Sequence, residues 1–360
     1  MNQNEKNLFF ELCCFRSDNR EQIYNYVQRG YATPELLGHL FWNRMIGVAC
    51  HNLQQSGGIN ILNREFRSAM LEQVDRNIQK NHSYFQCVQY LSNVLSPFES
   101  HYAMLKGAVL CGIYPEGCRT ANDIDLLVPN ESISKIGHLL ENEGFTQGYL
   151  RGNLFRPASR KEIIYSRMMR GETVPYVKKV NLPGMPYLEV DVNFSADYKN
   201  SSGSVEKALI ERAETVQIND LSVRTLCKIH FLIHLCLHLY KEATTISWVK
   251  MKRDMSLYKY LDICFLLEKL SLHEELDFIQ ECRKLNTNVP CFFAISCAKD
   301  LLGGNHAVYT RLIDALHPGD DLCLHTVVDP ENDKTLTYRD TDIVQRFWKR
   351  DRQILLQENQ

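Results

Sequence analysis

Apolar residues recur at helical spacing through the first hundred residues of the chain. The first series of such positions consists of Leu8, Phe9, Leu12 and Cys13. A second helix is predicted to begin at Thr33-Pro34, because Thr caps helices well and Pro fits the first turn. A third is predicted from about Asn63 to Leu95, with an interruption or bend along it, and it stops at Ser96-Pro97.

Shorter patterns follow from about residue 101. Ile124 to Val128 is a compact apolar stretch closed by Pro129, which predicts a strand. An amphipathic helix is predicted to open at Ser132 and to end at Gly144. Tyr187 to Phe194 alternates apolar and polar positions, which predicts a second strand with one buried face.

Helical spacing returns over residues 205–316, where Pro290 is expected to begin a helix. Asp321 to Tyr338 predicts a β-hairpin, and Thr341 to Gln357 a last helix. No period of 20 to 50 residues repeats, which excludes a solenoid. The predicted fold class is α+β, with a small mixed-sheet core between helical regions. The predicted domains are an N-terminal helical region (1–100), the core (101–200), a helical region that closes a cleft (201–318), and a C-terminal hairpin and helix (319–360).

Composition narrows the class of protein. The chain has 41 basic and 43 acidic residues and a formal net charge of −2, which argues against a partner held by many phosphate contacts. Its 13 cysteines contain no Cys-x-x-Cys pair, so neither a zinc ribbon nor a disulfide framework is indicated. The most apolar window, Leu226 to Tyr240, is too short to span a bilayer, and Met1 to Phe15 does not resemble a signal peptide. We expect a cytoplasmic protein with no membrane partner.

Asp123 and Asp125 carry the sharpest chemical signal. Side by side on one face of a strand they would repel each other, unless a cation such as a divalent metal lies between them. The short string alone is common and also fits a solvated surface turn. Glu189 and Asp191 share a face of the second strand, so a third carboxylate joins the pair if the two strands are neighbours. Three acids around metal ions can activate a nucleophile and stabilise a pyrophosphate leaving group.

Lys106-Gly107 lies upstream of these acids. A helix start with glycine, where a phosphate can approach the backbone, and with a lysine beside it suits a triphosphate. The alternative is a helix interior with an incidental glycine.

These motifs occur in an order that resembles the DNA polymerase β-type nucleotidyltransferase superfamily, and within it the bacterial branch of uncharacterised nucleotidyltransferases. The matching segments are Leu105-Lys106-Gly107, Tyr114-Pro115, Arg119, Asp123 to Val128, Leu188 to Asp191, and Leu235 to His238. The resemblance covers about residues 35 to 300. It implies a polymerase-β-type nucleotidyltransferase core and dependence on Mg²⁺, with Mn²⁺ as an alternative.

The resemblance also implies roles for residues. Asp123 and Asp125 would bind the metal with Asp191 as third ligand, while Lys106 and the Gly107 backbone would hold the triphosphate. Glu189 would be the third ligand in place of Asp191, a supporting acid or the general base. Arg119 would offset developing charge, and His238 would contact the nucleotide or the acceptor. Apart from the resemblance, Lys241 lies nearly one turn after His238 and is a candidate phosphate contact, with a solvated lysine as the alternative. Two departures from the pattern stand out: the phosphate cradle lacks a hydroxyl, and Asp191 replaces a histidine of the branch.

Three histidines, at 230, 234 and 238, lie on one stripe of a predicted helix. The outer two would stand about 12 Å apart, too far to share one ion. Packing with satisfied hydrogen bonds is the ordinary explanation for such a stripe. His238 differs from the other two because it falls on the family motif.

The expected activity is the transfer of a nucleoside monophosphate from a nucleoside triphosphate, such as ATP, to a small-molecule or peptide acceptor, with release of pyrophosphate. The acceptor group can be a hydroxyl, a phosphate or a carboxylate, and nucleic acid is not expected as a partner. Two alternatives stay open. One is glycosyl or phosphosugar transfer from a sugar nucleotide, and the other is a non-catalytic nucleotide-binding module.

Overall fold

The structure, a computed structural model, describes residues 1–152, 154–196, 204–303 and 306–358. The α-helices are α1 (Gln3–Leu12), α2 (Arg20–Gln28), α3 (Pro34–Trp42), α4 (Ile46–Ser56), α5 (Arg64–Leu95), α6 (Gly107–Ile113), α7 (Ile133–Asn142), α8 (Arg160–Met169), α9 (Ser204–Glu211), α10 (Lys228–Ala243), α11 (Ile246–Lys250), α12 (Leu257–Leu267), α13 (Leu272–Lys284), α14 (Asn288–Ala298), α15 (Ala307–Leu316) and α16 (Ile343–Trp348). The strands are β1 (Ala103–Met104), β2 (Asp123–Leu127), β3 (Thr146–Arg151), β4 (Leu154–Pro157), β5 (Tyr176–Leu182), β6 (Met185–Asn193), β7 (Ala213–Ile218), β8 (Leu221–Leu226), β9 (Thr326–Asp329), β10 (Lys334–Tyr338) and β11 (Leu356–Glu358).

The chain divides into two compact units. The sheet unit comprises residues 46–51 and 62–231, and the helical unit comprises residues 1–45, 52–61 and 232–360. The predicted four-domain division stays a prediction, and its boundary at residue 200 lies outside the described residues. No helix in the described ranges combines the length and the apolar character needed to cross a membrane.

An eight-stranded mixed sheet organises the sheet unit, in the order β4-β3-β5-β6-β2-β1-β8-β7. Two neighbouring pairs, β2 with β6 and β1 with β8, run parallel, and the other neighbours run antiparallel. Alternating burial along β6 matches the alternation in its sequence, because one face of the strand packs into the core. The predicted mixed sheet flanked by helical segments is confirmed. That it is a polymerase-β-type core stays a prediction.

The helix α5 packs along this sheet as one continuous helix of 32 residues. The Asn63 side chain caps its start by accepting from the Phe66 amide at 2.8 Å. The predicted interruption is therefore wrong: buried residues from Tyr84 to Leu95 follow an unbroken helical period along the core face. The predicted start at Thr33-Pro34 is confirmed by α3, which Thr33 caps.

Residues 213–226 correct the prediction that everything from 205 to 316 is helical. They form the β7–β8 hairpin, which joins the edge of the large sheet. Its two-residue turn consists of Asn219 and Asp220, which have φ angles of +47° and +64°. Asn and Asp tolerate this left-handed conformation, and such a pair twists as hairpin strands do.

The C-terminus also differs from its prediction. The hairpin of β9 and β10 is confirmed, but the last helix, α16, covers six residues only. The backbone becomes extended at Lys349, and the following chain forms β11, which pairs with β10. Irregular chain, a 3-10 turn at Gln353–Leu355 and β11 thus follow α16 where the predicted helix from Thr341 to Gln357 would continue, and β11 completes a small three-stranded sheet with β10 and β9.

Candidate active site

The carboxylates that the sequence singled out lie on two adjacent strands. The parallel strands β2 and β6 pair in a register that sets Asp123 beside Glu189 and Asp125 beside Asp191. In-register partners of a parallel pair point to the same side of a sheet. The structure therefore gathers all four acids on one face, as expected if the two predicted strands were neighbours.

This acid face is opposite to the face that packs on α7. A Cβ added at Gly137 of α7 would lie 2.6 Å from the Tyr176 hydroxyl, so Tyr176 points toward α7. Tyr176 is the antiparallel partner of Val190, and Val190 consequently faces α7 as well. Glu189 and Asp191, its two neighbours along β6, project from the other side.

Lys106 reaches the acid face from the segment that follows β1. Its Nζ lies 2.7 Å from Asp125 Oδ1, and both side chains are largely buried. Burial opposes the charged ammonium, but the neighbouring Asp125 carboxylate outweighs it, so the pKa of Lys106 is raised. Lys106 adopts φ +46° and ψ −109° immediately before α6, a conformation that side chains rarely take and that aims it at Asp125.

The acids of β6 bind protons unusually well. Burial, followed by the charges of Asp123 and Asp125, raises the pKa of Glu189 to about 7. Burial and the same two charges raise the pKa of Asp191 well above its usual range. The Asp191 Oδ1 atom is also buried without a hydrogen-bond partner in the described part of the chain. Such an orphaned oxygen among like charges is costly unless a cation or a proton joins it.

These features test whether a divalent cation fits the site. The candidate ligands are carboxylate oxygens, which Mg²⁺ and Mn²⁺ prefer. Asp191 Oδ1 accepts no hydrogen bond from the described residues, so its lone pairs are available to a cation. Within the described residues, no group of three or more Asp, Glu, His or Cys side chains is placed so that it could hold a metal ion as the side chains stand. Lys106 lies where it neutralises Asp125. The residues thus fit a hard cation in their chemistry, and binding it requires the side chains to rearrange.

Gly107 opens α6 directly after Lys106. A Cβ at this position would lie 2.4 Å from the Ala121 Cβ and 2.7 Å from the Tyr84 hydroxyl. Close packing against these two side chains therefore requires glycine here, whether or not a phosphate approaches. The prediction that a helix begins at Lys106-Gly107 is confirmed, and the predicted phosphate contact stays a prediction.

The sequence analysis did not single out the α5 side chains that donate hydrogen bonds to the backbone before and at the start of β2. The Tyr84 hydroxyl donates to the Asp123 carbonyl at 3.0 Å. Asn77 and Asn81 donate to the Gly117 and Arg119 carbonyls, each at 2.9 Å. The polar positions at 77, 81 and 84 recur at helical spacing within an otherwise ordinary amphipathic helix, which was the one signal available.

The remaining predicted site residues are distributed as follows. Arg119 lies in the segment before β2, and its guanidinium donates to the Thr120 carbonyl. His238 and Lys241 lie on α10 within the helical unit. There His238 Nε2 lies 3.1 Å from Glu242 Oε1, and Glu242 also pairs with Lys259. Their roles in binding nucleotide or acceptor stay predictions.

Clustered carboxylates beside a buried lysine are side chains that enzymes acting on phosphate esters use. The chain belongs to the family described as uncharacterised nucleotidyltransferases, whose model matches residues 33–303. A similar solved structure is that of an antigenic nucleotidyltransferase-like protein from Paracoccidioides brasiliensis, at 16% identity and a TM-score of 0.33. That similarity covers 62% of this chain and 95% of the other. No curated protein matches the chain.

Proposed function

We propose that this chain is a metal-dependent nucleotidyltransferase with a polymerase-β-type core. It transfers a nucleoside monophosphate from a nucleoside triphosphate to a hydroxyl, phosphate or carboxylate of a small-molecule or peptide acceptor, and pyrophosphate leaves. The observation that supports this most is the in-register pairing of β2 and β6, which gathers Asp123, Asp125, Glu189 and Asp191 on one face. Membership in the nucleotidyltransferase family supports the same reaction class.

Asp123, Asp125 and Asp191 would hold Mg²⁺. Between the two β6 acids we choose Asp191 as the third ligand, because its buried Oδ1 has no partner among the described residues. When bound, the metal would supply positive charge for the triphosphate and for the leaving pyrophosphate.

The proposed protein groups have separate tasks. Lys106 stays protonated near neutral pH, because its pKa is raised, and would bind a phosphate oxygen. Glu189, with a pKa of about 7, is suited to take the proton from an acceptor O–H through its carboxylate oxygen. The other proposed nucleotide contacts are the Gly107 backbone, Arg119, His238 and Lys241.

A label-transfer experiment tests the reaction class and does not require an identified acceptor. The full chain is incubated with Mg²⁺, a small-molecule extract of the native cells, and one nucleoside triphosphate labelled at either the α- or the γ-phosphate. Nucleotidyl transfer predicts that only the α-label enters new compounds and that the γ-label leaves as pyrophosphate. Transfer from labelled sugar nucleotides alone would instead establish glycosyl or phosphosugar transfer.

The site assignment is tested with paired variants. Asp123→Asn with Asp125→Asn should abolish label transfer. Relief of carboxylate repulsion and loss of the Lys106–Asp125 ion pair act on the melting temperature in opposite directions, so a cooperative melting transition serves here only as the control for folding. Glu131→Gln with Glu141→Gln, two exposed acids near and on α7, is the matched control and should keep full transfer. Unchanged transfer in the Asp123/Asp125 variant would refute the site.

A further inference from the structure

The β3–β4 hairpin and α8, residues 146–170, concentrate positive charge. This segment contains six basic residues and one acidic residue, a net charge of +5, whereas the whole chain carries −2. The rest of the chain therefore carries −7. The basic residues are Arg151, Arg156, Arg160, Lys161, Arg167 and Arg170. A charge asymmetry of this size orients a protein toward an anionic partner.

The helix α8 makes little use of its apolar residues inside the fold. Among its described side chains only Ser166 is buried, at 3% exposure. Met168 is 67% exposed and Ile164 48%, and Leu154 on β4 is 76% exposed. A ten-residue helix gains its stability from packing rather than from propensity. An outward apolar face on so short a helix therefore indicates a partner that covers it.

The apolar and basic residues of α8 share one side of the helix. Ile164 and Met168 are four residues apart and lie on one stripe. Arg160 precedes Ile164 by four residues, and Lys161 and Arg167 lie three residues to either side of it. Basic side chains that flank a short apolar stripe can hold their charged ends at the level of lipid headgroups while the apolar residues enter the hydrocarbon boundary.

The surface is held in shape within the segment itself. Arg156 forms two hydrogen bonds to the Glu162 carboxylate, at 2.6 and 3.3 Å, and its guanidinium lies 5.2 Å from the centre of the Tyr149 ring. Ser159 caps α8 in a capping box: its side-chain oxygen accepts from the Glu162 amide, and its backbone N–H donates to the same Glu162 carboxylate. The hairpin and the helix therefore present their charges together.

We propose that this surface, formed by residues 146–152 and 154–170, binds the face of an anionic lipid membrane. A second copy of the chain that docks through the same surface is a poor occupant, because two surfaces of charge +5 repel. A nucleic acid would satisfy the charge but offers no apolar phase for Leu154, Ile164 and Met168. Anionic lipid offers both headgroup charge and hydrocarbon. The chain would lie on the membrane rather than span it, which revises the expectation of no membrane partner, and the proposal does not depend on the proposed enzymatic function.

Co-sedimentation of the full chain with lipid vesicles tests this directly. Binding to phosphatidylcholine vesicles with about 30% phosphatidylglycerol should exceed binding to pure phosphatidylcholine by about tenfold or more. High salt should remove most of that excess, since exposed charges are screened. Lys161→Glu with Arg167→Glu should reduce binding to the level of neutral vesicles. Ile164→Ser with Met168→Ser should reduce it severalfold, and neither variant should shift the melting temperature, because these side chains are exposed.

The matched control reverses two exposed basic residues elsewhere, Lys252→Glu with Arg253→Glu, and should bind vesicles as the wild type does. Equal sedimentation with neutral and anionic vesicles would overturn the proposal. The proposal would also be overturned if the chain bound a single-stranded RNA oligonucleotide but no vesicles. In that case Lys161→Glu with Arg167→Glu would abolish RNA binding, and Ile164→Ser with Met168→Ser would leave it intact. That result would identify a nucleic-acid surface instead.

Discussion

Two buried aspartates of this chain differ in how their negative charge is compensated. In the helical unit Asp254 is 2% exposed, and both of its oxygens accept from the Arg352 guanidinium at 2.6 Å. In the sheet unit Asp191 keeps a buried oxygen without a hydrogen-bond partner among the described residues, and it lies beside Asp125 in the strand register. The first aspartate is matched by one fixed partner, whereas the second is surrounded by other carboxylates.

Under the proposed function, the charge of Asp254 supports the fold, whereas the charge of Asp191 serves to bind a ligand. A buried carboxylate in a bidentate pair has its desolvation compensated within the protein. Uncompensated carboxylates raise the free energy of the folded state, and a bound cation would lower it. On this view the sheet unit carries the acids of β6 for function, at the expense of its own stability.

The largest expected effect comes from breaking the matched pair. Arg352→Met leaves Asp254 buried and alone, which should cost about 3–5 kcal/mol of unfolding free energy. Asp191→Asn also removes a charge from a buried site, yet it should leave the metal-free protein as stable as the wild type or more stable. Urea unfolding of the two variants under identical conditions measures whether each substitution lowers or raises the free energy of unfolding.

A double variant sharpens this test. Asp254→Leu with Arg352→Met replaces the pair with apolar groups and should recover much of the loss of Arg352→Met. A large loss of stability in Asp191→Asn, comparable with that of Arg352→Met, would show that both aspartates serve the fold.

A smaller effect is expected from Glu189, and it depends on pH. Its pKa is about 7 in the folded chain and 4.5 as its ordinary value, so the folded state holds the proton more tightly. The contribution of Glu189 to stability is therefore fully present below about pH 4.5 and is lost as the pH rises through about 7. Glu189→Gln should melt higher than the metal-free wild type at pH 8, by about 2–4 °C for each kcal/mol regained.

The gain in melting temperature should shrink toward zero at pH 5. Scanning calorimetry of both proteins across this range, with a chelator present, provides the measurement. A gain that does not change between pH 5 and pH 8 would mean that the Glu189 charge is not what destabilises the site.

The smallest effect concerns the support beneath the acids. Tyr84→Phe removes the hydrogen bond to the Asp123 carbonyl and should cost about 1 kcal/mol. Tyr90→Phe is the control on the same helix. Its hydroxyl donates to the exposed Glu143 and accepts from Lys178, both charged groups near the surface, and its loss should cost less. Equal costs would show that the α5 contact with Asp123 does not stabilise β2.

Local sequence patterns predicted the strands that carry the site. The apolar alternation around Asp123 and Glu189 predicted β2 and β6, and the shared faces of their acids followed from the two-residue strand period. The sequence did not show that β2 and β6 are neighbours, because strand order depends on contacts between distant segments. The gathering of all four acids was therefore predicted only on the condition that the two strands are adjacent. The hairpin of Asn219-Asp220 had a usable turn signal, which the long helical stretches on both sides obscured.

Other features had no local signal. The pairing of β11 with β10 depends on where the chain folds back after Trp348, which the mixed charges of that stretch do not specify. The left-handed backbone of Lys106 has no local sequence signal, and the packing that requires Gly107 results from tertiary contacts with Ala121 and Tyr84. The sequence therefore predicted which residues form the acid face more fully than how the surrounding chain holds them.

The central claim is that the acids of β2 and β6 form a metal-dependent nucleotide site. A thermal-shift series tests it most directly: the wild type and Asp125→Asn, each with ATP, GTP, CTP, UTP or a UDP-sugar, with and without Mg²⁺. The account predicts that at least one nucleoside triphosphate raises the melting temperature of the wild type only when Mg²⁺ is present, and that Asp125→Asn loses this response. Equal stabilisation of both proteins, or stabilisation that does not depend on Mg²⁺, would contradict it.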